Sequence, residues 1–108
     1  MELKAINITQ KEFDSDDDFF FSCEAFIGSE TMPYVYEVYD FNVISIKRLF
    51  RTFPDHGIML NKGWLIAKNY NEQEIEDKVI SIIRKCTGKS DEDTYKNLCS
   101  YFRIQKSL

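Results

Sequence analysis

The segment Phe19–Ile27 alternates apolar and mostly polar side chains with a period of two. Positions 19, 21, 23, 25 and 27 are all apolar, and an extended chain places them on one face because successive side chains of a strand point to opposite sides. Phe20 and Phe26 are apolar exceptions on the other face. This segment predicts a strand with one buried face, which other apolar elements must cover.

A second strand is expected to pair with this one. Gly28–Pro33 supplies the glycine and proline that interrupt regular structure, and Tyr34–Phe41 is rich in aromatic and β-branched residues. The two strands therefore predict a hairpin. Lys11–Asp18 is polar and acid-rich and predicts a loop. The remaining predicted strands are Leu3–Ile8, Trp64–Tyr70 and a short terminal one within Arg103–Lys106.

Three segments show the periodicity of amphipathic helices. The first has Asn42 as its predicted N-cap and Pro54 as its stop, and the second is preceded by Asn71 and ended by Gly88. Ser90 gives the third helix a similar start. The three apolar stripes are Ile46, Leu49, Phe50 and Phe53; Ile75, Val79, Ile82, Ile83 and Cys86; and Tyr95, Leu98, Cys99 and Phe102.

Amphipathic helices need an apolar surface to lie on, and the apolar face of the sheet provides it. The element order β-β-β-α-β-α-α, with a short final strand, predicts the α+β class in a single domain over residues 1–108. We expect a mainly antiparallel sheet of about four to five strands with three helices packed on one side. The other side of the sheet, or its loops, would then be open to a partner.

Charge is distributed unevenly along the chain. Residues 1–40 hold ten acidic and two basic side chains (−8), whereas residues 41–108 hold eight acidic and twelve basic ones (+4), which together give the net charge of −4. A concentrated negative field speeds encounter with a basic partner, unless the folded surface interleaves the two halves. Nucleic-acid binding draws on surplus lysine and arginine, so this balance disfavours it.

Hydropathy and cysteine usage indicate a cytoplasmic protein. No apolar run reaches the roughly 18 to 20 residues that span a membrane, and Met1–Phe13 has no apolar signal core. The chain has three cysteines, Cys23, Cys86 and Cys99. An odd number without Cys-x-x-Cys spacing indicates buried, reduced thiols. His56 is the only histidine and lies in a turn, so it gives little support to a catalytic mechanism. We therefore predict neither an enzyme nor a cofactor.

Asp14, Asp16, Asp17 and Asp18 form the densest charge cluster in the chain. Four carboxylates could bind Ca²⁺ or Mg²⁺, but the cluster lacks the central glycine and the late glutamate of an EF-hand loop. We therefore predict no metal site. The cluster is either a solvated acidic loop or a docking patch for a basic partner, and the residues alone leave both interpretations open.

Tyr34 and Tyr36 share a face of the predicted third strand. Stacking platforms for single-stranded nucleic acid carry aromatic residues in this way, but they lie in a basic groove. Here the nearby charges are Glu30, Glu37 and Asp40, which would repel phosphates. A role for these tyrosines in the core or in a protein interface is favoured.

Five segments carry a resemblance to a known family. They are Ala25–Gly28 at a strand end, Tyr36–Phe41 before a helix, Gly63–Tyr70 as a strand, Asn71–Glu76 at the start of the long helix, and Leu98–Phe102 at the end of the last one. In this order, the stretch from Phe20 to Phe102 resembles the immunity protein 8 family of bacterial polymorphic-toxin systems, which includes contact-dependent growth inhibition immunity proteins.

The resemblance implies an α+β domain without catalytic residues that binds a cognate toxin domain in the cytoplasm of the producing cell. Toxins delivered in this way are commonly nucleases with basic substrate grooves, which an acidic inhibitor complements. The residues expected to bind the partner are Asp14, Asp16, Asp17 and Asp18 for steering, with Glu30 and Tyr34 on the hairpin edge.

Two other functions are compatible with the residues. A non-catalytic adaptor or secretion chaperone would bind a different protein without relieving any poisoning. A small enzyme or nucleic-acid-binding protein would require metal binding at the aspartate cluster, or an activity that depends on His56 or Cys23.

Overall fold

The structure is a computed structural model that describes residues 1–105 of the chain. Its elements are β1 (Glu2–Ser15), β2 (Asp18–Gly28), β3 (Tyr36–Ser45), α1 (Ile46–Thr52), β4 (Trp64–Ala67), α2 (Glu72–Cys86), α3 (Asp91–Leu98) and β5 (Arg103–Ile104). The predicted α+β class and element order are confirmed. Lys106, the predicted last residue of the terminal strand, lies outside the described residues.

The strands form one mixed sheet in the order β1-β2-β3-β4. The pairs β1–β2 and β2–β3 are antiparallel, whereas β4 runs parallel to β3. The short β5 pairs antiparallel with β3 at Tyr39 and Asp40, beside β4. Two parallel neighbouring strands cannot be joined by a tight turn. Helix α1 and the residues that follow it therefore carry the chain from the end of β3 back to the start of β4. Residues 53–63 are here named the crossover loop.

The core lies between one face of the sheet and the helices α2 and α3. The five apolar positions of β2 are all buried, which confirms the strand face that the alternation predicted. Tyr39 of β3 is also buried, and its hydroxyl donates to the carbonyl oxygen of Tyr95 in α3 at 3.0 Å. No residue of α1 belongs to this core. The expectation that the helices pack on one side of the sheet therefore holds for α2 and α3 only.

The acid-rich stretch predicted as a loop is instead the second half of β1. Its register against β2 pairs Lys11 with Phe21 and Phe13 with Phe19 and ends at Ser15 opposite Asp18. The strand forms here because the backbone gains the hydrogen bonds of the hairpin and the ring of Phe13 stacks 6.4 Å from that of Phe21. Only residues 16 and 17 remain as a tight turn between the strands.

The first helix begins later than predicted. Asn42 lies inside β3, where its side chain donates to Ser22 Oγ at 3.2 Å and accepts from Arg103 Nη2 at 2.6 Å. Ser45 is the N-cap, and its hydroxyl accepts from the backbone nitrogens of Arg48 and Phe19, each at 3.1 Å. Asn42 is thus used by the sheet, and the chain turns into α1 only when the pairing of β2 with β3 ends.

The starts of the other two helices agree with the sequence. Asn71 accepts from the backbone nitrogen of Glu74 at 3.0 Å, and Ser90 accepts from that of Asp93 at 3.1 Å. The predicted strand that precedes α2 is shorter than expected and ends at Ala67.

Candidate protein-binding surface

The four clustered aspartates lie at the tip of the β1–β2 hairpin and are here named the acidic turn. Asp14 and Asp18 sit on the two strands, and Asp16 and Asp17 form the turn between them. The backbone oxygen of Asp16 accepts from the nitrogen of Tyr70 at 2.7 Å, which ties the turn to the chain before α2. The tip is therefore a fixed hairpin end and not a free loop.

Helix α1 lays its basic side chains against the acidic turn. Arg48 has only 9% of its side chain exposed; its Nε donates to Asp18 Oδ1 at 2.7 Å and its Nη2 bonds to Asp14. Arg51 Nη2 donates to both oxygens of Asp18, at 2.8 and 3.1 Å. Lys47 Nζ lies 3.7 Å from Asp17 Oδ1. The sequence placed these groups on separate elements, and the fold joins them into one network.

The network changes the proton affinity of its carboxyl groups. The hydrogen bond from Arg48 holds the pKa of Asp18 below its ordinary value of 3.8, with a smaller contribution from Arg51. The pKa of Asp17 is also lowered, mainly because the hydroxyl of Ser15 donates to it and then because of Lys47. Both carboxylates stay ionised over a wider pH range than free ones.

The negative field of the acidic turn is partly neutralised. Glu12 adds a fifth carboxylate to the four aspartates, and Lys47, Arg48 and Arg51 supply three positive charges, which leaves a formal charge of −2. The folded surface therefore does interleave the two halves of the chain at this place. In residues 1–105, no group of three or more His, Cys, Asp or Glu side chains is placed to hold a metal ion.

Glu30 and Tyr34 lie at the opposite end of the sheet, in the connection between β2 and β3. The strand β2 separates them from the acidic turn by about 30 Å, at the usual ~3.3 Å per residue. Tyr34 precedes β3, does not share its face with Tyr36 and is 92% exposed. The predicted site residues thus fall into two groups that no single small surface joins.

The face of the sheet opposite the core is only partly covered. Phe20 packs against Trp64 with 5.8 Å between ring centroids, and Phe26 packs edge-on against Tyr36 at 5.4 Å. Between these aromatic pairs lies a shallow polar depression of about 300 Å³, lined in part by Arg103. These contacts explain why the two apolar exceptions of β2 are half-buried.

The apolar side of α1 points to solvent, which the sequence did not indicate. The name apolar face of α1 is used here for Ile46 and Phe50 of the helix with Phe53, its C-cap; all three are exposed, and Phe50 is 86% exposed. Their spacing, together with Leu49, predicted a buried stripe, and of its four residues only Leu49 is even half-buried. The signal that could have revealed the inversion is the basic set Lys47, Arg48 and Arg51 on the other side of the same helix, opposite in charge to the aspartate cluster.

Comparison with protein families identifies the family of the chain. The model of the family Immunity protein 8 matches residues 1–104 of the 108-residue chain. The chain belongs to this family. No curated protein and no solved structure matches it. As an immunity protein, it comes from a class that generally acts by binding and not by catalysis.

The predicted burial of the cysteines is confirmed for two of the three, because Cys99 is only half-buried. Cys23 and Cys86 are buried free thiols, and burial raises the pKa of Cys23 to about 11, which favours the protonated thiol at neutral pH. His56 is exposed in the crossover loop. Among the helices of the described residues, none is both long enough and apolar enough to cross a membrane.

Proposed function

We propose that this immunity protein binds and neutralises a cognate toxin domain with a basic surface, a nuclease delivered by contact-dependent growth inhibition or a related secretion system. Neutralisation would protect the producing cell in its cytoplasm. The family match over residues 1–104 carries this proposal. The net charge of −4 and the acidic turn support a basic partner, because opposite fields accelerate encounter and disfavour wrong partners.

Within the acidic turn, the four aspartates contribute differently to this proposal. Asp18 is 14% exposed and is shared by Arg48 and Arg51, so its role is to hold α1 in place. Asp16 and Asp17 are exposed in the turn and are the residues that we assign to steering. Asp14 lies beside them with its carboxylate partly engaged by Arg48. Glu30 and Tyr34 form a second, separate contact region at the far end of the sheet.

A growth assay tests the proposed function. Immunity genes usually follow their toxin genes, so the C-terminal domain encoded by the reading frame upstream is expressed in a test bacterium with this chain or with an empty vector. We expect growth arrest that this chain relieves and the empty vector does not. Arrest that persists in the presence of the folded chain would contradict the proposal, and binding without relief would favour an adaptor or secretion chaperone.

Neutralising the turn should slow association with the toxin domain. We expect Asp16→Asn combined with Asp17→Asn to lower the association rate constant about threefold to tenfold at low salt, with little change in the dissociation rate, because exposed charges act mainly on encounter. Stopped-flow or surface-based kinetics at two salt concentrations measures this effect.

The matched control removes the same charge elsewhere, with Glu76→Gln on α2 and Glu92→Gln on α3, both exposed. The control should leave the association rate within about twofold of the wild type, since distant exposed charges are screened. An equal loss in both variants would show that net charge matters and the turn does not.

A further inference from the structure

The orientation of α1 is the reverse of that of an ordinary surface helix. At 3.6 residues per turn, Ile46, Phe50 and Phe53 fall on one side, and the three basic residues fall on the opposite side. A surface helix normally buries its apolar side and exposes its charges. Here Arg48 is buried against Asp14 and Asp18, and Phe50 is exposed.

The ion pairs explain what holds α1 in this orientation. Arg48 and Arg51 both bond to Asp18, whose carboxylate lies at the start of β2, and Ser45 fixes the first turn of the helix through its cap. Rotating the helix to bury Phe50 would break these charge-assisted bonds and leave the carboxylates beside each other. The fold therefore keeps an apolar surface exposed where it could have been covered.

Exposed apolar residues concentrate in this part of the chain. Of fourteen exposed large apolar side chains in the described residues, six lie between positions 46 and 60. Beyond the apolar face of α1, the crossover loop adds Ile58 and Leu60, which are almost fully exposed. A typical monomer has a largest exposed apolar patch on the order of 300–600 Å², and larger contiguous patches mark binding surfaces.

We infer that the apolar face of α1 is the docking surface for the toxin domain, and that it fits an apolar pocket bordered by basic side chains. This inference rests on the proposed function and names the surface that performs it. The acidic turn contacts the other side of α1 through Lys47 and Arg51 and, together with Glu12, keeps a formal charge of −2. This charge lies about one helix diameter (~10 Å) from the apolar side chains, close enough to act on the rim of a partner docked there. A basic border on the partner complements that charge.

Charge also disfavours two other occupants. A second copy of the chain carries the same net charge of −4, and two bodies of like charge repel each other as they associate. An anionic lipid surface would repel the acidic turn in the same way. A basic protein partner is the occupant for which both the apolar side chains and the neighbouring charge are favourable.

Substituting Phe50 tests the surface. Phe50→Ser should weaken binding of the purified toxin domain at least tenfold, chiefly through faster dissociation, because an aromatic anchor is lost from the centre of the interface. The thermal unfolding of the variant should match that of the wild type, since the side chain is exposed. The control Tyr101→Ser, at an exposed residue between α3 and β5, should stay within about twofold of the wild-type Kd.

A pair of charged variants tests the chemistry of the partner. With a basic border around the pocket, Phe50→Lys should bind more weakly than Phe50→Asp, by about threefold or more. Equal affinities, or the reverse order, would overturn the basic border.

The remaining outcomes of these binding experiments show which part of the proposal is wrong. Wild-type affinity in Phe50→Ser, with a loss in Tyr34→Ser, would place the interface at the far end of the sheet and overturn the inference while leaving the proposed function intact. A wild-type dimer that Phe50→Ser converts to a monomer, or vesicle binding that Phe50→Ser abolishes, would assign the surface to a second copy or to lipid. A wild-type chain that does not bind the toxin domain would overturn the proposed function and the inference together.

Discussion

Replacing Phe102 with alanine should lower the free energy of unfolding by about 3–5 kcal/mol, the usual cost of truncating a buried phenylalanine. The side chain is completely buried, and its ring centroid lies 5.6 Å from that of Phe41 and 6.4 Å from that of Tyr39. Alanine would leave a cavity between β3 and the end of α3. Urea unfolding followed by circular dichroism measures the loss.

The neighbouring residue provides the control for this prediction. Tyr101 is adjacent in sequence but exposed, so Tyr101→Ala should cost less than about 1 kcal/mol. Similar losses in the two variants would mean that the segment after α3 does not close the core. The comparison matters because this segment also carries Arg103, whose guanidinium donates to Asn42 at 2.6 Å and bonds to the backbone oxygen of Lys62.

The features that the sequence predicted well depend on local or repeated patterns. The buried face of β2 follows from strict alternation, and Asn71 and Ser90 cap their helices through side chains that reach three residues along the chain. Each requires only the geometry of one element. The stripe of α2 is likewise buried at Val79, Ile82, Ile83 and Cys86, and Ile75 is partly buried against the same core.

Two features could not be read from local patterns. The second half of β1 is a strand because it pairs with β2, although four of the residues between 12 and 17 are acidic. The orientation of α1 depends on Arg48 meeting Asp18, which lies 30 residues away in sequence. Periodicity locates the apolar stripe of a helix, but distant partners decide which side of the helix is buried.

The separation of the candidate site residues could have been predicted from the order of the strands, but not from the distribution of charge. A hairpin strand places the loops before and after it at opposite ends, so the turn before β2 and the connection after it could not meet. The sequence prediction assigned Asp16 and Tyr34 to one binding region, although the whole length of β2 lies between them. Their roles in binding stay predictions, and they now require separate tests.

Replacing Arg48 with methionine should destabilise the protein by about 2–3 kcal/mol, because removing one partner of a buried ion pair leaves the other unpaired. Arg48 is 9% exposed and bonds to both Asp14 and Asp18, so its loss leaves these carboxylates facing each other across the hairpin. The side chain of Asp14 is 68% exposed, so water screens part of the interaction, and the expected loss lies at or below the lower end of the ~3–5 kcal/mol usual for a fully buried pair. Urea unfolding at neutral pH measures it.

The same substitution should change how stability depends on pH. In the wild type, Arg48 holds the pKa of Asp18 below 3.8, so the stabilisation is present above that value and is lost as the pH falls through the lowered pKa. In Arg48→Met the pKa of Asp18 moves up toward its ordinary value, and the loss of stability between about pH 5 and pH 2 should be smaller than in the wild type.

The control for Arg48 is its neighbour on the helix. Lys47 pairs with Asp17 at 3.7 Å, but both side chains are exposed, so Lys47→Met should cost less than about 0.5 kcal/mol. It should change the acid dependence less than Arg48→Met does, because the hydrogen bond from Ser15 is the larger cause of the lowered pKa of Asp17. If Lys47→Met and Arg48→Met behaved alike, the orientation of α1 would not depend on the buried arginine. The other result is that only Arg48→Met is destabilised and that this variant also binds the toxin domain more weakly. Because Arg48 itself is buried, the weaker binding would mean that its ion pairs hold α1 in the orientation that presents Phe50 to the partner.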